Sequence, residues 1–107
     1  MEIIWTPLSL KSLSELLHFV RKAWGEKKSF EIRKLIEHNV LLLEKHPHLG
    51  RVLPETESKS VKIRSLIIKR KNRVFYRVEG EKIYIILVWD VRKDPEILFD
   101  TLNAFID

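Results

Sequence analysis

The sequence contains no cysteine, only three glycines and four prolines, and no long hydrophobic run. Without cysteine the chain has no disulfide, no thiolate nucleophile and no cysteine-based metal site. Its longest apolar stretches fall well short of the roughly 18–20 residues that a membrane-spanning helix requires. The N-terminus lacks the basic leader and the long apolar core of a signal peptide. These absences predict a cytoplasmic protein that works without a metal or a cofactor and has no membrane partner.

The composition is that of a folded, basic domain. With 107 residues, of which 45% are hydrophobic and 33% charged, the chain is long enough for one domain over residues 1–107. Its formal net charge is +5. A cationic excess favours partners that carry negative charge, namely nucleic acid, a nucleoprotein particle or an acidic protein.

The N-terminal half has the pattern of a strand followed by two helices. Residues 2–5 form a short apolar stretch, and Thr6-Pro7 is typical of a helix start, because proline lacks the amide hydrogen that the first helical position leaves unpaired. Gly25 ends that helix, and a second helix is predicted over about 28–45. The inner stripe predicted for the first helix consists of Leu10, Leu13, Leu17, Val20 and Trp24. The two amphipathic helices are therefore expected to form a helical hairpin.

The C-terminal half has the pattern of a sheet followed by a helix. Pro47 and Gly50 mark a loop, and Pro95 begins a last helix that is predicted to run to about residue 106. Alternating and apolar runs predict strands over 61–68, 73–79 and 82–90. The fold class is therefore α+β, in which an N-terminal strand and a helical hairpin pack on a small twisted antiparallel sheet, followed by a short C-terminal helix. The helices are expected to cover one face of the sheet and to leave the other partly open.

The most distinctive stretch is 59–77, which holds eight Lys or Arg residues and no acidic residue. Side chains of a strand alternate between its two faces, so charges two positions apart share a face. This pattern predicts a cationic face on the side of the sheet opposite the helices. The residues predicted to bind nucleic acid are Lys62, Lys69, Arg70, Lys71 and Arg77.

Three arginines are the candidates for binding a reacting phosphate. Arg64 and Arg73 are able to pair bidentately with phosphate oxygens, although each alone is also typical of a solvated residue on an exposed sheet. Arg92 follows the last strand at the edge of the open face, and the alternative there is an ion pair with Asp90 or Asp94. We expect the three arginines to converge in one anion-binding hollow opposite the helices.

Few groups in the sequence are able to transfer a proton near neutral pH. Arginine is a poor acid or base because its pKa stays above about 12. Tyr76 is one candidate, but its position alternates with that of Arg73, and the competing interpretation is a core aromatic whose hydroxyl has a partner. His46 and His48 are further candidates, and loop histidines without a chemical role are the competing interpretation.

Four segments of the chain resemble, in their order and spacing, the toxins of type II toxin–antitoxin systems that form the RelE/ParE superfamily. The segments are IIWTPLSLKSLSELLHFV, HPHLGR, KIRSLIIKRKNRVFYRV and IYIILVWDVRKDPEIL. The resemblance covers essentially the whole chain. It implies a fold of two helices against a small antiparallel sheet.

The superfamily contains two activities. RelE-like members bind the ribosomal A site and cleave mRNA with basic residues and commonly a tyrosine, whereas ParE-like members inhibit DNA gyrase. Leu66 stands where the nuclease branch has a second strand lysine, and Leu98 or its neighbours stand where it has a C-terminal tyrosine. The WDVRKDP segment is closer to the ParE type. The catalytic residues predicted for the nuclease reading are Arg64, Arg73, Arg92 and Tyr76.

The function expected from the resemblance is that of a toxin which stops growth by ribosome-dependent mRNA cleavage. The alternatives are a ParE-like inhibitor of DNA gyrase and an inactive interaction module of the same fold. The implied partners are an acidic antitoxin together with either the ribosome and mRNA or DNA gyrase. We expect the antitoxin to wrap the helical hairpin and to cover the cationic face, with the margin of the stripe Leu10, Leu17 and Trp24 as a docking groove or, alternatively, as plain core.

Overall fold

A computed structural model describes residues 1–103 of the chain. The elements in chain order are β1 (Glu2–Trp5), α1 (Pro7–Trp24), α2 (Glu26–Leu41), β2 (Arg51–Val52), β3 (Arg64–Ile68), β4 (Asn72–Glu79), β5 (Lys82–Asp90) and α3 (Pro95–Asn103). The predicted α+β class is confirmed. The predicted end of the last helix near residue 106 lies outside the described residues.

Local signals place the helix boundaries. Thr6 caps α1 because its Oγ1 accepts a hydrogen bond from the amide of Ser9. Gly25 ends α1 at a φ of +94°, a backbone angle that glycine adopts at little cost, and α2 starts at the next residue. The second helix therefore begins two residues earlier than predicted. It ends at Leu41, where a 3-10 turn over Leu42–Glu44 replaces the last predicted α-helical turn.

The sheet has five strands in the order β1-β5-β4-β3-β2. Strand β1 pairs parallel with β5, with Glu2 opposite Lys82 and Trp5 opposite Ile85, while all other pairs are antiparallel. The three strands predicted in the C-terminal half pair antiparallel as expected, and the N-terminal strand adds one parallel pair that was not predicted.

Both faces of the sheet carry a core of apolar side chains, so the second face is not the continuous cationic face that the alternation predicted. The helix-side core consists of Leu13, Leu16, Val20, Ile36, Val40, Leu43, Ile68, Val74, Tyr76, Ile83, Ile85 and Val88. The core on the second face consists of Leu53, Ile63, Phe75, Ile86, Leu87, Trp89, Leu98 and Leu102. Two parts of the chain supply the cover of the second face, namely α3 and the segment 53–63.

The segment 53–63 folds back on itself instead of extending β3. The amide of Leu53 donates to the carbonyl oxygen of Ile63 at 2.7 Å, and Thr56 Oγ1 accepts from the amide of Ile63 at 3.0 Å. Ile63 is fully buried. For this reason β3 begins at Arg64, three residues later than predicted.

A bulge at Ile86 explains why the sequence of β5 is almost entirely apolar. Phe75 lies opposite Leu87 and Tyr76 lies opposite Ile85, which leaves Ile86 as an extra residue on β5. Ile86 and Leu87 consequently both point to the second face. The prediction that this strand is buried on both faces is confirmed.

Candidate functional site

Arg64 lies on the helix side of the sheet, at the margin next to β2. It pairs with Tyr76 on β4, and residues opposite each other on neighbouring strands point to the same face. Its Nη1 donates to the carbonyl oxygen of Gly50 at 2.8 Å and of His48 at 3.4 Å. The guanidinium of Arg64 therefore holds the 46–50 turn.

Tyr76 holds the same turn from inside the core. Its side chain is fully buried, its hydroxyl accepts from the amide of Gly50 at 2.8 Å, and it donates to the carbonyl oxygen of Pro47 at 2.9 Å. Burial raises the pKa of the Tyr76 hydroxyl, and the hydrogen bond from Gly50 and the charge of Arg64 oppose this change only in part. Tyr76 thus has the contacts of a core aromatic with a paired hydroxyl.

Arg73 lies on the second face. Its guanidinium stacks over the ring of Phe75, with 4.8 Å from Cζ to the ring centroid, and its Nη2 donates to Ser65 Oγ at 3.0 Å. The Nε atom is buried and has no hydrogen-bond partner. Burial lowers the pKa of Arg73, and the charge of Glu55 partly offsets that change. Of the arginines predicted to act on phosphate, Arg73 is the one whose described contacts leave a buried donor unsatisfied.

Arg92 is bound to Asp90. Its Nε and Nη2 donate to the two carboxylate oxygens of Asp90 at 3.0 and 2.7 Å, and its amide donates to Oδ1 at 2.8 Å. The side chain of Asp90 is 8% exposed, whereas that of Arg92 is 55% exposed. The hydrogen bond from Arg92 lowers the pKa of Asp90 and, reciprocally, raises the pKa of Arg92. This is the ion pair that the sequence offered as the alternative to a phosphate-binding role.

The three arginines do not form the single hollow that the alternation predicted. Arg64 and Arg73 point to opposite faces because Arg64 pairs with Tyr76 of the helix-side core, while Arg73 neighbours Phe75 of the second core along β4. Arg92 is held by an acidic neighbour. Whether any of the three takes part in a reaction remains a prediction, but they have no common anion site in this fold.

The five cations predicted to bind nucleic acid separate into different groups. Lys69, Arg70 and Lys71 form the exposed turn between β3 and β4. Lys62 precedes the opposite end of β3. Arg77 lies near the far end of β4, where it bonds Glu79 and stacks over Tyr84 at 4.4 Å from the ring centroid.

One cation near the turn was missed in the sequence. Lys93 lies over the ring of Trp89 with its Nζ 5.3 Å from the centroid. The amide of Val91 donates to the carbonyl oxygen of Lys71 at 2.9 Å, which places the loop of Lys93 beside the β3–β4 turn. The segment WDVRKDP shows that a second cation, Lys93, follows Arg92 directly. The position of this loop beside the β3–β4 turn depends on the long-range hydrogen bond between Val91 and Lys71, which the sequence does not show.

Within residues 1–103, the candidate proton-transfer groups Tyr76, His46 and His48 lie apart from Arg73. Residues 1–103 contain no group of three His, Asp or Glu side chains placed to hold a metal ion. The hydroxyl of Tyr76 is occupied by two backbone partners. His46 and His48 are exposed on the turn held by Arg64, away from the buried Nε of Arg73 on the other face.

A separate groove runs between the helical hairpin and the free edge of β1. A cavity of about 500 Å³ is lined by Trp5, Leu10, Leu13, Ser14, Leu17, His18, Arg21, Arg33 and Glu37. An adjoining cavity of about 520 Å³ shares Trp5 and Glu37 and is lined further by Glu2, Ile3, Val40, Leu41 and Glu44. Leu10 is 53% exposed, so the predicted stripe is only partly core. Trp24 does not line the groove and instead packs edge-on against Phe19.

None of the helices within residues 1–103 combines the length and the apolarity needed to cross a bilayer. The sequence matches the family model described as ParE toxin of type II toxin-antitoxin system, parDE, over residues 3–95. Because this match spans most of its length, the chain belongs to the ParE toxin family of type II toxin–antitoxin systems. A comparison with curated proteins finds no match.

Among solved structures, a chain titled as the chromosomal ParDE toxin–antitoxin system from P. aeruginosa is similar to this one. The two share 23% sequence identity and superpose with a TM-score of 0.70, and the match covers 86% of this chain and 97% of that chain. At this identity the likeness shows the fold.

Proposed function

We propose that this ParE-family toxin stops growth by binding DNA gyrase and not by cleaving mRNA. The observation that supports this choice is the separation of Arg64 from Arg73 by the thickness of the sheet. A gyrase inhibitor acts by occupying a surface of its target and needs no assembled catalytic site. The family match favours the same reading, although the resemblance alone left mRNA cleavage as the first expectation.

The chemistry of RNA cleavage explains why the separation of these arginines matters. Cleavage needs a group that activates the ribose 2′-hydroxyl, a group that stabilises the charged intermediate and a group that protonates the leaving oxygen. Arg73 is able to fill only the second role. Tyr76, the nearest candidate for proton transfer on the same strand, is buried on the opposite face with both of its hydrogen-bonding positions occupied.

The two mechanisms are separated by assays on purified targets. We expect the purified chain to inhibit supercoiling by DNA gyrase and to trap cleaved gyrase–DNA complexes, and to leave mRNA intact on purified translating ribosomes. Arg73→Ala is the test variant, because a nuclease that uses Arg73 to stabilise the charged intermediate loses its activity on this substitution. Codon-specific mRNA breaks that disappear in Arg73→Ala, with gyrase unaffected, contradict the proposal. Activity on neither target supports the inactive-module reading.

The groove between the helical hairpin and β1 is the proposed docking surface of the antitoxin. It offers the apolar side chains of Leu10 and Leu17 beside the cationic side chains of Arg21 and Arg33. This mixture fits an amphipathic segment of an acidic partner, whose apolar residues fill the groove while its carboxylates meet the arginines.

The antitoxin encoded beside the toxin gene provides the test of this docking surface. We expect Leu10→Glu to weaken the toxin–antitoxin complex by at least about tenfold, because the substitution adds a buried carboxylate to an apolar contact. The matched control is Ile67→Glu, since Ile67 is 60% exposed on β3 and lies outside the groove. Equal affinities of the two variants in titration calorimetry contradict the assignment.

A further inference from the structure

The turn between β3 and β4 has an unusual combination of backbone shape and sequence. The amide of Lys71 donates to the carbonyl oxygen of Ile68 at 3.2 Å, and the two residues between them have positive φ angles, 51° for Lys69 and 62° for Arg70. Two consecutive positive φ angles are those of a type I′ turn, for which Asn-Gly is the favoured sequence. Here both positions carry long cationic side chains.

This choice of residues costs stability. A non-glycine residue in the left-handed region is disfavoured, so the pair Lys69-Arg70 makes the hairpin less stable than the favoured turn sequence would. Both side chains are exposed, and within residues 1–103 neither forms a hydrogen bond or an ion pair with another side chain. Packing therefore does not compensate for the strain, and the positive charge is the property that these positions retain.

The surroundings of the turn add further positive charge. The hydrogen bond from Val91 to Lys71 brings Arg92 and Lys93 to the same end of the sheet. Two carboxylates at this end are engaged, because Asp90 binds Arg92 and Asp94 Oδ1 accepts from the amide of Glu96 at 2.9 Å, and a third, Glu55, is close enough to act on Arg73. The segments 69–73 and 90–94 together carry six cations and two carboxylates, which is a net charge of +4.

We propose that this basic turn, Lys69-Arg70-Lys71, binds the phosphate backbone of a nucleic acid. Protein–protein interfaces are depleted of lysine and use aromatic anchors, whereas nucleic-acid interfaces are strongly cationic. The turn carries three cations and no aromatic side chain, and Trp89 nearby is buried under Lys93. Because the turn has no aromatic side chain on which a base could stack, it binds the phosphates through charge and does not distinguish base sequences.

The proposal extends the proposed function, since gyrase acts on DNA and a toxin held at gyrase has DNA phosphates within reach. In that setting the groove beside the helical hairpin serves the antitoxin and the basic turn serves DNA. The two surfaces share no residue, because none of the cations of the turn lines the groove. DNA binding by the isolated chain is measurable without gyrase, so the two proposals are able to fail separately.

The test compares duplex binding by the full chain and by two variants of equal charge. The first variant, K69N/R70G, removes two charges and gives the turn its favoured sequence. The control, K27Q/K28Q, removes two charges from exposed lysines at the start of α2. Binding of a fluorescent 20-base-pair duplex is followed by anisotropy between about 50 and 200 mM salt, the range over which phosphate contacts weaken strongly.

We expect K69N/R70G to bind the duplex about tenfold more weakly at low salt and to lower the slope of log K against log salt by about 2, one unit for each lost phosphate contact. The same variant is expected to melt at a higher temperature than the wild type, because the turn is relieved of strain. K27Q/K28Q is expected to change the slope by less than half as much. Different duplex sequences of one length are expected to bind equally.

Three outcomes overturn the proposal. The wild-type chain binds no duplex, or the two variants weaken binding equally, or K69N/R70G binds the duplex like the wild type. The proposal is also overturned if K69N/R70G binds the duplex as the wild type does but no longer binds DNA-free gyrase. In that case the turn contacts protein and not DNA. If duplex binding behaves as expected while the wild type leaves gyrase active, the proposed function fails and the phosphate-binding turn stands.

Discussion

The hydroxyl of Tyr76 lies 2.8 Å from the amide nitrogen of Gly50, a residue twenty-six positions earlier in the chain, and bonds the carbonyl oxygen of Pro47 as well. Arg64 holds the carbonyl oxygen of Gly50 from the other side. The peptide groups of one turn are thus fixed by two side chains from two strands. Tyr76 and Arg64, which the sequence predicted to be catalytic, therefore hold the backbone of this turn in place.

Tyr76→Phe is expected to destabilise the fold by about 1–3 kcal/mol. The substitution leaves the buried amide of Gly50 and the carbonyl of Pro47 without their partner, and unpaired buried groups cost about that much. Urea unfolding measures the difference. Tyr84→Phe is the matched control, because Tyr84 is only partly buried and its described contact is through the ring to Arg77. Equal destabilisation by the two variants contradicts the assignment.

The buried hydroxyl also predicts a loss of stability at alkaline pH. Burial raises the pKa of Tyr76 above its unfolded value of 10.0, so the folded chain holds its proton more tightly than the unfolded chain. The resulting stability is present below pH 10.0 and is lost as the pH rises toward the higher folded pKa, with a slope of at most about 1.4 kcal/mol per pH unit. Urea unfolding at several pH values above 9 is expected to show a smaller decline in Tyr76→Phe than in the wild type. Parallel curves rule out this role of Tyr76.

Gly50→Ala is expected to destabilise the protein by about 1–3 kcal/mol or more, because no space exists for a methyl group. A Cβ at Gly50 lies 2.7 Å from Cε1 of Tyr76 and 2.8 Å from the carbonyl oxygen of Ser65. Gly80→Ala is a useful contrast, since a Cβ there meets nothing within 4 Å and only the φ of +59° opposes it. If thermal unfolding shows that Gly50→Ala destabilises the protein no more than Gly80→Ala, the lack of space at Gly50 is not the cause.

The Asp90–Arg92 pair predicts a pH-dependent effect of Arg92→Gln. The hydrogen bond from Arg92 lowers the pKa of Asp90 below 3.8, so the pair adds stability above that pH and the stability is lost as the pH falls through the depressed pKa. The difference in unfolding free energy between wild type and Arg92→Gln is therefore largest near neutral pH and shrinks in acid. Arg21→Gln is the control, because its partner Glu26 is 86% exposed and lies 3.8 Å away. A difference that stays constant from pH 7 to about 3 contradicts the prediction.

Short-range signals were sufficient for the helices but not for the sheet. The Thr6-Pro7 start and the Gly25 end of α1 depend on adjacent residues and were predicted within one position. The parallel pairing of β1 with β5 joins residues about 80 positions apart, and no local pattern encodes the direction of such a pair. The cover of the second face was missed for a similar reason, because Leu53 and Ile63 are isolated apolar residues in a polar segment.

The predicted convergence of Arg64 and Arg73 on one face failed because of the length of one turn. Alternation correctly grouped Arg64 with Leu66 and Arg73 with Phe75. It does not relate the faces of two different strands, which depends on the number of residues between them. Three residues separate Ile68 from its partner Asn72, so Arg64 lies opposite Tyr76. If Ile68 paired with Lys71 instead of Asn72, Arg64 would lie opposite Phe75 and therefore on the same face as Arg73.

The pairing of β1 with β5 has a consequence for the synthesis of this protein on the ribosome. Glu2 cannot meet Lys82 until β5 has left the ribosomal exit tunnel, about 80 residues after β1 was made. At the usual elongation rates of about 5–20 residues per second, the nascent chain waits roughly 4–16 seconds with an unpaired N-terminal strand. During that interval the groove bounded by β1 is incomplete, so the proposed docking surface of the antitoxin forms only after β5 has been made.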